Sequence, residues 1–479
     1  MDMPRPDPAI LADRARIVAR LRDVVAPDAV IADDIALRAY ECDALAAYRC
    51  PPMAVVLPST TDEVAAVMRI CHEAGVPVVA RGAGTSLAGG ALPTRDAVVL
   101  GLARMTAVLD TNLTDRVIRV QAGRTNLSVS AALADDGFFY APDPSSQLAC
   151  AIGGNIAMNS GGAHCLKYGV TTNNLLGLRM VLADGEIVDL GGAYAEGDGF
   201  DLMALICGSE GQLGIVTEAV LRIIPRPEGA RPMLLAFDSS EVAGACVSDI
   251  IRAGVLPVAI EFMDRPVIRA AEAFTRAGYP DCEALLIIEV EGAPAEIDDQ
   301  LARIKAIAAA HNPLEIRESG SDTQSAQIWL GRKSAFGAMG QIGDYMCLDG
   351  TIPVNALPAV LRRIGELSDE YGLLVGNVFH AGDGNMHPLI IYDANRPGDL
   401  EKCEALGADI LRLCVDMGGC LTGEHGVGVE KRDLMGVQFS PDDLEAQMQV
   451  KDVFDPHWLL NPAKVFPLPL SAGRRAGTP

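Results

Sequence analysis

Two histidine-containing loops in the last quarter of the chain carry residue types that bind metals and move protons. Residues 380–387 read His-Ala-Gly-Asp-Gly-Asn-Met-His, and residues 423–428 place Glu424 and His425 between glycines. Two imidazoles and a carboxylate from two loops suit a three-ligand metal site with open positions. A neutral imidazole beside a carboxylate also suits a general base near neutral pH. Histidines that only satisfy hydrogen bonds in a core are the alternative.

A first glycine-rich loop follows an apolar run at 76–80. Residues 81–90 read Arg-Gly-Ala-Gly-Thr-Ser-Leu-Ala-Gly-Gly, and such small residues let backbone amides face one concavity that suits a pyrophosphate. A G-x-G-x-x-G dinucleotide motif would need glycine at Leu87, and a G-x-S-x-G hydrolase elbow would need glycine at Ala88. Glycine and asparagine are dense again over 142–169, so the two regions predict one long ligand between them. Ordinary tight turns are the alternative for both.

The elements around these loops alternate between helix and strand. Before the second glycine-rich region, helices are predicted at 9–24 and 62–74, with strands at 54–57, 76–80, 97–100 and 117–120. Strands at 178–182 and 215–224 follow that region, and Pro225–Gly229 is typical of a domain junction. Beyond the junction, strands at 233–237, 258–263 and 284–291 alternate with helices at 241–253, 266–277 and 294–311, and further helices are predicted at 356–371 and 399–417.

This pattern predicts an α+β fold with α/β segments. We divide the chain into a helical lead-in at 1–49, a first domain at 50–228, a second domain at 229–430, a segment at 431–468 that returns to the first domain, and a disordered tail at 469–479.

Composition narrows the function classes. The chain has 39 Lys and Arg against 63 Asp and Glu, a net charge of −24, which argues against nucleic acid and against direct adhesion to anionic lipid. It has neither the roughly 18 consecutive apolar residues of a membrane span nor the apolar core of a signal peptide, so we expect a cytoplasmic protein. The twelve cysteines form no C-x-x-C pair, so the sequence encodes no iron–sulfur relay of its own.

Four segments occur together and in order: Trp329–Phe336, Asp344–Pro353, His380–His387 and Asn461–Lys464. With them, the sequence from about residue 30 to 468 resembles flavoproteins of the p-cresol methylhydroxylase (PCMH) and vanillyl-alcohol oxidase type that carry an FAD-linked oxidase C-terminal domain. Within that group it closely resembles the D subunits of bacterial glycolate oxidases and next the cytochrome-type D-lactate dehydrogenases. The resemblance implies a two-part PCMH-type FAD-binding domain and an α/β C-terminal cap domain for substrate and metal.

The resemblance implies FAD rather than a nicotinamide. Some members attach FAD to a histidine of the first glycine loop, but this chain has no histidine between 73 and 163, so we expect non-covalent FAD. The positions that carry over to FAD binding are Arg81, Gly82, Ala83, Gly84, Thr85, Ser86, Gly89, Pro142, Asp143, Ser145, Ser146, Gly153, Gly154, Asn155, Asn159, Gly161, Gly162, Tyr168, Gly169, Glu210, Gly211, Gly214, Ile215 and Val216.

The resemblance also implies the chemistry. His380, His387 and Glu424 match the ligands of a divalent metal, zinc or manganese. His425 matches the base, and Arg332 matches the guanidinium that pairs bidentately with the substrate carboxylate.

Three departures from related 2-hydroxyglutarate enzymes limit the substrate. Those enzymes hold a second carboxylate with Thr, Lys and Asn, where this chain has Phe336, Cys347 and Leu389. None of these can pair a buried carboxylate, which is costly when left unpaired. We therefore expect oxidation of a short 2-hydroxy acid, glycolate to glyoxylate, by hydride transfer to the flavin. Oxidation of D-lactate to pyruvate is the alternative, and a catalytically silent flavin-binding subunit is the alternative of a different class.

The family resemblance points to quinone as the final electron acceptor. Because the sequence has no cluster ligands of its own, we expect an iron–sulfur subunit and a second flavin-type subunit of a glycolate oxidase complex as partners. Contact with the inner membrane would come through such a partner.

Overall fold

The structure, a computed structural model, describes residues 3–192, 199–471 and 474. It divides into two compact units: unit 1 spans Met1–Ser160, Val170–Pro225 and Glu424–Pro479, and unit 2 spans Gly161–Gly169 and Arg226–Gly423. The division differs from the predicted domains in several places. The lead-in 1–49 belongs to unit 1, the segment 161–169 groups with unit 2, and the boundaries predicted at 228 and 430 lie at Pro225 and Gly423.

Unit 1 contains two main sheets, whose elements are numbered along the chain. A four-stranded sheet has the order β1-β2-β4-β3, with β4 parallel to both of its neighbours, and a five-stranded antiparallel sheet has the order β5-β6-β10-β8-β9. The short strands β7 and β11 pair with each other. The strands are β1 (Val30–Ile31), β2 (Ala54–Val56), β3 (Val78–Arg81), β4 (Val98–Gly101), β5 (Val108–Asn112), β6 (Val117–Gln121), β7 (Phe138–Phe139), β8 (Leu175–Val181), β9 (Ile187–Gly191), β10 (Ile215–Arg222) and β11 (Ile224–Pro225).

The helices of unit 1 are short apart from two of them. The helix predicted at 9–24 is two helices, because Asp13 leaves helical geometry and its side chain pairs with Arg16. The helix predicted at 62–74 is found within one residue, and Thr60 caps it by accepting the amide of Glu63. The helices are α1 (Pro8–Ala12), α2 (Arg14–Arg22), α3 (Thr61–Glu73), α4 (Asn126–Ala132), α5 (Ile152–Met158), α7 (Leu202–Ile206), α14 (Met435–Gln438), α15 (Pro441–Phe454) and α16 (Leu468–Ser471).

The predicted disordered tail, 469–479, begins inside α16. Arg474 is also described and pairs with Glu445 and Asp452. Residues 472–473 and 475–479 lie outside the described residues.

Unit 2 is built on a seven-stranded sheet of order β15-β12-β14-β13-β17-β18-β16, in which each neighbouring pair is antiparallel. The alternation predicted for 233–311 is found within a few residues. The elements are α6 (Cys165–Tyr168), β12 (Gly229–Phe237), α8 (Ser240–Arg252), β13 (Ala259–Asp264), α9 (Arg265–Thr275), β14 (Ala284–Gly292), α10 (Pro294–Ala309), β15 (Glu315–Glu318), α11 (Asp322–Met339), β16 (Asp344–Cys347), α12 (Leu357–Tyr371), β17 (Val375–His380), β18 (Pro388–Tyr392) and α13 (Asp399–Asp416).

Helix α11 is the long element that sequence patterning missed. Its inner face carries the buried Gly331 and Arg332, whereas its outer face exposes Leu330. A buried charge and an exposed leucine hide the usual alternation of an amphipathic helix.

Across residues 3–192, 199–471 and 474, no helix is both long and apolar enough to cross a membrane.

Candidate active site

The loop after β3 forms a cradle of backbone amides in unit 1. The Nη1 of Arg81 donates to the carbonyl of Cys42 at 2.8 Å, and Ser86 Oγ accepts the amides of Ala88 and Gly90. Within the described part of the chain, the amides of residues 82–87 find no acceptor. An anionic ligand could therefore occupy this loop without competing with the protein's own hydrogen bonds.

Two glycines allow this loop to fold. Gly84 and Gly89 have φ of +73° and +75°, a region that favours glycine. A Cβ on Gly84 would lie 2.1 Å from the guanidinium of Arg81. The burial of Arg81 lowers the pKa of its guanidinium, although Asp43 opposes that shift.

In unit 1, the first glycine-rich loop lies against α5 and the residue that precedes it, in the second glycine-rich region. A Cβ on Gly82 would approach that of Ala151 to 3.2 Å, and one on Gly90 would lie 2.1 Å from Met158 Cε. A Cβ on Gly154 would meet no described atom within 4 Å, so open space adjoins the start of α5. Tight backbone packing beside open space and unpaired amides fits the pyrophosphate and sugar of a dinucleotide such as FAD.

Asparagine side chains hold the turns on either side of α5. Asn126 Nδ2 donates to the carbonyl of Pro142 at 3.1 Å and to Asn155 Oδ1 at 3.2 Å. The turn that contains Asp143, Ser145 and Ser146 is thereby held beside α5. Asn159, with φ of +50°, ends α5, and its Oδ1 accepts the amide of Thr172 at 2.9 Å.

Glu210 has a role that its sequence position did not reveal. Its carboxylate accepts the amides of Val427 at 2.6 Å and Gly428 at 2.8 Å. Burial raises the pKa of Glu210, and these two hydrogen bonds oppose the shift. This buried residue therefore anchors the turn that directly follows His425. The other predicted positions nearby are Gly211, Gly214, Ile215 and Val216, the last two in β10.

The Asn461–Lys464 segment forms hydrogen bonds with the C-terminal end of the first glycine loop. Asn461 Nδ2 donates to the carbonyls of Gly90 at 3.1 Å and Glu210 at 2.6 Å. Lys464 Nζ donates to the carbonyl of Leu92, and burial lowers the pKa of this lysine to about 7. The segment therefore ties the C-terminal part of unit 1 to its glycine loop.

The predicted flavin positions Gly161, Gly162, Tyr168 and Gly169 lie in unit 2. His164 Nε2 lies 3.2 Å from Glu289, and Lys167 Nζ lies 3.1 Å from Glu291. The Tyr168 hydroxyl donates to Glu291, and burial together with this carboxylate raises the pKa of Tyr168. Two carboxylates of β14 thus hold the segment 161–169.

The two loop histidines meet in unit 2. His380 ends β17 and His387 directly precedes β18, and their rings pack edge to face with centroids 5.2 Å apart. Both side chains are buried, and one ring nitrogen of each lies within 4.8 Å of the other. One cation could therefore bind both imidazoles.

Asp349 organises the next part of this unit. Its carboxylate lies 3.4 Å from His387 Nε2, accepts Asn385 Nδ2 at 2.9 Å and accepts the amide of Gly423 at 3.0 Å. Glu424 and His425 are the next two residues of the chain and the first two of the last segment of unit 1. Their backbone therefore runs between the anchor at Gly423 and the anchor at Val427 that Glu210 supplies.

Arg332 meets a residue that the sequence analysis did not identify. Its Nε and Nη2 lie 2.7 and 2.6 Å from Glu261 Oε2, and Glu261 Oε1 lies 2.7 Å from His380 Nδ1. Burial alone would raise the pKa of Glu261, but the contacts with Arg332 and His380 lower it to about 2. The only signal in the sequence was a carboxylate inside the apolar strand predicted at 258–263.

Two of the three positions that separate this chain from the 2-hydroxyglutarate enzymes lie together. Cys347 in β16 and Leu389 in β18 are direct partners in the strand pairing, and both are buried. Leu389 lies two positions after His387 in the sequence. The third, Phe336, packs its ring against Tyr345 with centroids 6.3 Å apart. The side chains at these positions are uncharged.

Comparison with known proteins agrees with this architecture. The family described as "FAD linked oxidases, C-terminal domain" matches residues 226–465, and "FAD binding domain" matches residues 52–191. The glycolate oxidase subunit GlcD of Escherichia coli strain K12 is 48% identical over 95% of this chain and 92% of its own length. A D-lactate dehydrogenase of Anaerostipes hadrus is 30% identical over 92% of this chain and 95% of its own length.

The fold also matches that of a solved structure. A crystal structure of p-cresol methylhydroxylase with substrate bound matches with a TM-score of 0.80, over 97% of this chain and 98% of that one, at 17% identity. The amide cradle after β3 and the open space beside α5 agree with the FAD-binding match over the same residues. Since both domains match and a relative is 48% identical over nearly the whole chain, this protein belongs to the FAD-linked oxidases, with FAD as its cofactor.

Proposed function

We propose that this enzyme oxidises a short 2-hydroxy acid, glycolate to glyoxylate. The observation that carries the proposal is the buried Arg332, whose Nη1 bonds to no residue in the described part of the chain although Glu261 holds its Nε edge. A buried guanidinium end of this kind suits a substrate carboxylate. Bound FAD would supply the chemistry, as the two-electron acceptor for the hydride of the substrate's Cα.

His380, His387 and Glu424 are the proposed ligands of a zinc or manganese ion. The support is the pair of buried imidazoles in unit 2 and the anchored backbone that leads into Glu424. Two nitrogen donors and one oxygen donor fit either metal. Such an ion would bind the substrate's oxygens and lower the pKa of its hydroxyl.

His425 is the proposed base that takes the proton of the substrate's hydroxyl. Its chain neighbour Glu424 is a proposed ligand, and the backbone on both sides is held by buried carboxylates. Arg332 holds the substrate's carboxylate, so the reacting carbon has little rotational freedom. These residues together would be dispensable in a silent flavin-binding subunit, and their joint presence favours an enzyme.

The choice of a short acid rests on Phe336, Cys347 and Leu389. The buried Cys347–Leu389 pair offers no charge for a distal carboxylate. Glycolate is favoured over D-lactate because the 48% identical relative is a glycolate oxidase subunit, whereas the D-lactate dehydrogenase relative is 30% identical.

The test is anaerobic mixing of the purified flavoprotein with a panel of 2-hydroxy acids. We expect glycolate, and to a smaller extent D-lactate, to bleach the visible flavin absorbance. D-2-hydroxyglutarate should react with a kcat/KM at least about 100-fold lower, because an unpaired buried carboxylate costs about 3 kcal/mol or more. A flavin that no short 2-hydroxy acid bleaches would support the silent subunit and contradict the proposal.

We propose that the FAD is non-covalent, since the first glycine loop and its surroundings between 73 and 163 contain no histidine. Acid precipitation should leave the flavin in the supernatant, and colour retained on the pellet would contradict this.

We propose that electrons leave through an iron–sulfur subunit, with a second flavin-type subunit in the same complex. The support is the absence of any C-x-x-C in the sequence and the similarity to a glycolate oxidase subunit. A net charge of −24 disfavours direct contact with anionic lipid, so a partner would carry a cytoplasmic complex to the inner membrane. The isolated chain should reduce an artificial dye much faster than quinone, and equal rates would contradict the proposal.

A further inference from the structure

Glu261 divides its two carboxylate oxygens between two residues of the proposed site. Oε1 faces His380 Nδ1 at 2.7 Å, whereas Oε2 faces Arg332 Nε at 2.7 Å and Nη2 at 2.6 Å. The side chain of Glu261 is 1% exposed, and those of Arg332 and His380 are 6% and 5% exposed. Water therefore does not substitute for either contact.

Strand pairing and helix packing hold this geometry. Glu261 and His380 are direct partners in the antiparallel pair of β13 and β17, so both side chains point to one face of the sheet. Arg332 comes from α11, where its amide donates to the Tyr279 hydroxyl at 3.0 Å. A Cβ on Gly331 would lie 2.3 Å from the Tyr279 ring, so glycine is needed for this contact.

We propose that Glu261 is a positioning residue. It sets the tautomer of His380, and it determines which end of the Arg332 guanidinium is left for the substrate's carboxylate. The inference rests on the proposed function, in which His380 binds a metal and Arg332 binds the substrate's carboxylate. An ionised carboxylate only accepts hydrogen bonds, so Nδ1 of His380 must carry the proton and Nε2 presents the lone pair to a metal.

The same carboxylate restricts Arg332. Its Nε edge is occupied by Glu261, so a substrate carboxylate meets the Nη1 end of the guanidinium. This refines the bidentate pairing that the family resemblance implies, because Glu261 occupies the Nε–Nη2 edge of the guanidinium. One residue thus aligns the metal-binding nitrogen and the carboxylate-binding end.

The test replaces Glu261 by glutamine. The amide oxygen can still accept from Arg332, but the NH₂ group then faces His380 Nδ1 and can only donate. His380 would have to accept at Nδ1 and carry its proton on Nε2, which removes the lone pair for the metal. We expect metal affinity to fall about 10- to 100-fold, the usual range for losing such a partner of a ligating histidine.

The matched control is Glu318→Gln. Glu318 also bridges two cations of unit 2, Arg231 at 3.1 Å and Lys305 at 2.6 Å, but it lies on the edge strand β15. Metal affinity of this variant should equal that of the parent. Equal metal affinity in Glu261→Gln and the parent would overturn the proposal.

A second measurement needs no metal. Proton–nitrogen NMR of the histidine rings in the metal-free, full-length protein should show His380 protonated on Nδ1, and Glu261→Gln should move that proton to Nε2. A parent protein with the proton on Nε2 would overturn the role of Glu261. A parent with the expected tautomer that binds no metal would instead overturn the proposed metal site and leave the role of Glu261 standing.

Discussion

Replacing His425 with asparagine is expected to slow flavin reduction by glycolate by about 100-fold or more, the usual loss for a general base. Asparagine resembles histidine in size and polarity but does not accept a proton at neutral pH. On either side of position 425, Asp349 holds the amide of Gly423 and Glu210 holds that of Val427, and His425→Asn leaves both contacts in place. Folding and FAD content should therefore stay at parent levels.

The pH profile makes this prediction specific. Imidazole changes its charge between about pH 5 and 8, so the parent rate should fall on the acidic side as the base becomes protonated. The acidic limb should be absent from His425→Asn. Anaerobic stopped-flow absorbance measures both effects, and His457→Asn, a change at an exposed histidine of unit 1, should behave like the parent. Flavin reduction at the parent rate in His425→Asn would place the base elsewhere.

If His387 is a ligand of the proposed metal, replacing it with alanine is expected to abolish metal binding and to lower turnover by about 10³-fold, which corresponds to roughly 4 kcal/mol. The substitution deletes one of two imidazoles whose nitrogens lie within 4.8 Å of each other, and one imidazole with one carboxylate holds a divalent ion weakly. Flavin content should be unchanged, because the glycine cradle belongs to unit 1 and His387 belongs to unit 2.

Metal content by elemental analysis and turnover with an artificial dye are the measurements for His387→Ala. His311→Ala is the control, since His311 also lies close to a carboxylate, 3.0 Å from Asp249, in unit 2. It should keep both metal and turnover. Full turnover in a metal-free His387→Ala protein would show that the reaction needs no ion.

Local patterning predicted most of the regular elements. Strand β13 was predicted at 258–263 and lies at Ala259–Asp264, and α8 was predicted at 241–253 and lies at Ser240–Arg252. Both show the hydrophobic spacing of their element type. Helix α11 was missed because Arg332 is buried on its inner face, and the sequence alone does not reveal that Glu261 neutralises this charge.

The candidate site was predictable to the extent that its residues are close in the sequence. His380 and His387 are seven positions apart, and Glu424 and His425 are adjacent, so their residue types indicated a metal and a base. The glycine-rich loops likewise indicated a long anionic ligand through their local backbone chemistry. These properties belong to short segments and hold wherever the segments lie.

Contacts between distant residues were decided by the tertiary structure. Glu261 meets His380 across 119 positions and Arg332 across 71, and Glu210 meets Val427 across 217. The grouping of 161–169 with unit 2 is of the same kind, because carboxylates of β14 hold that segment. Strand register and helix packing bring such groups together, and a buried carboxylate is stable only where that packing supplies its partners.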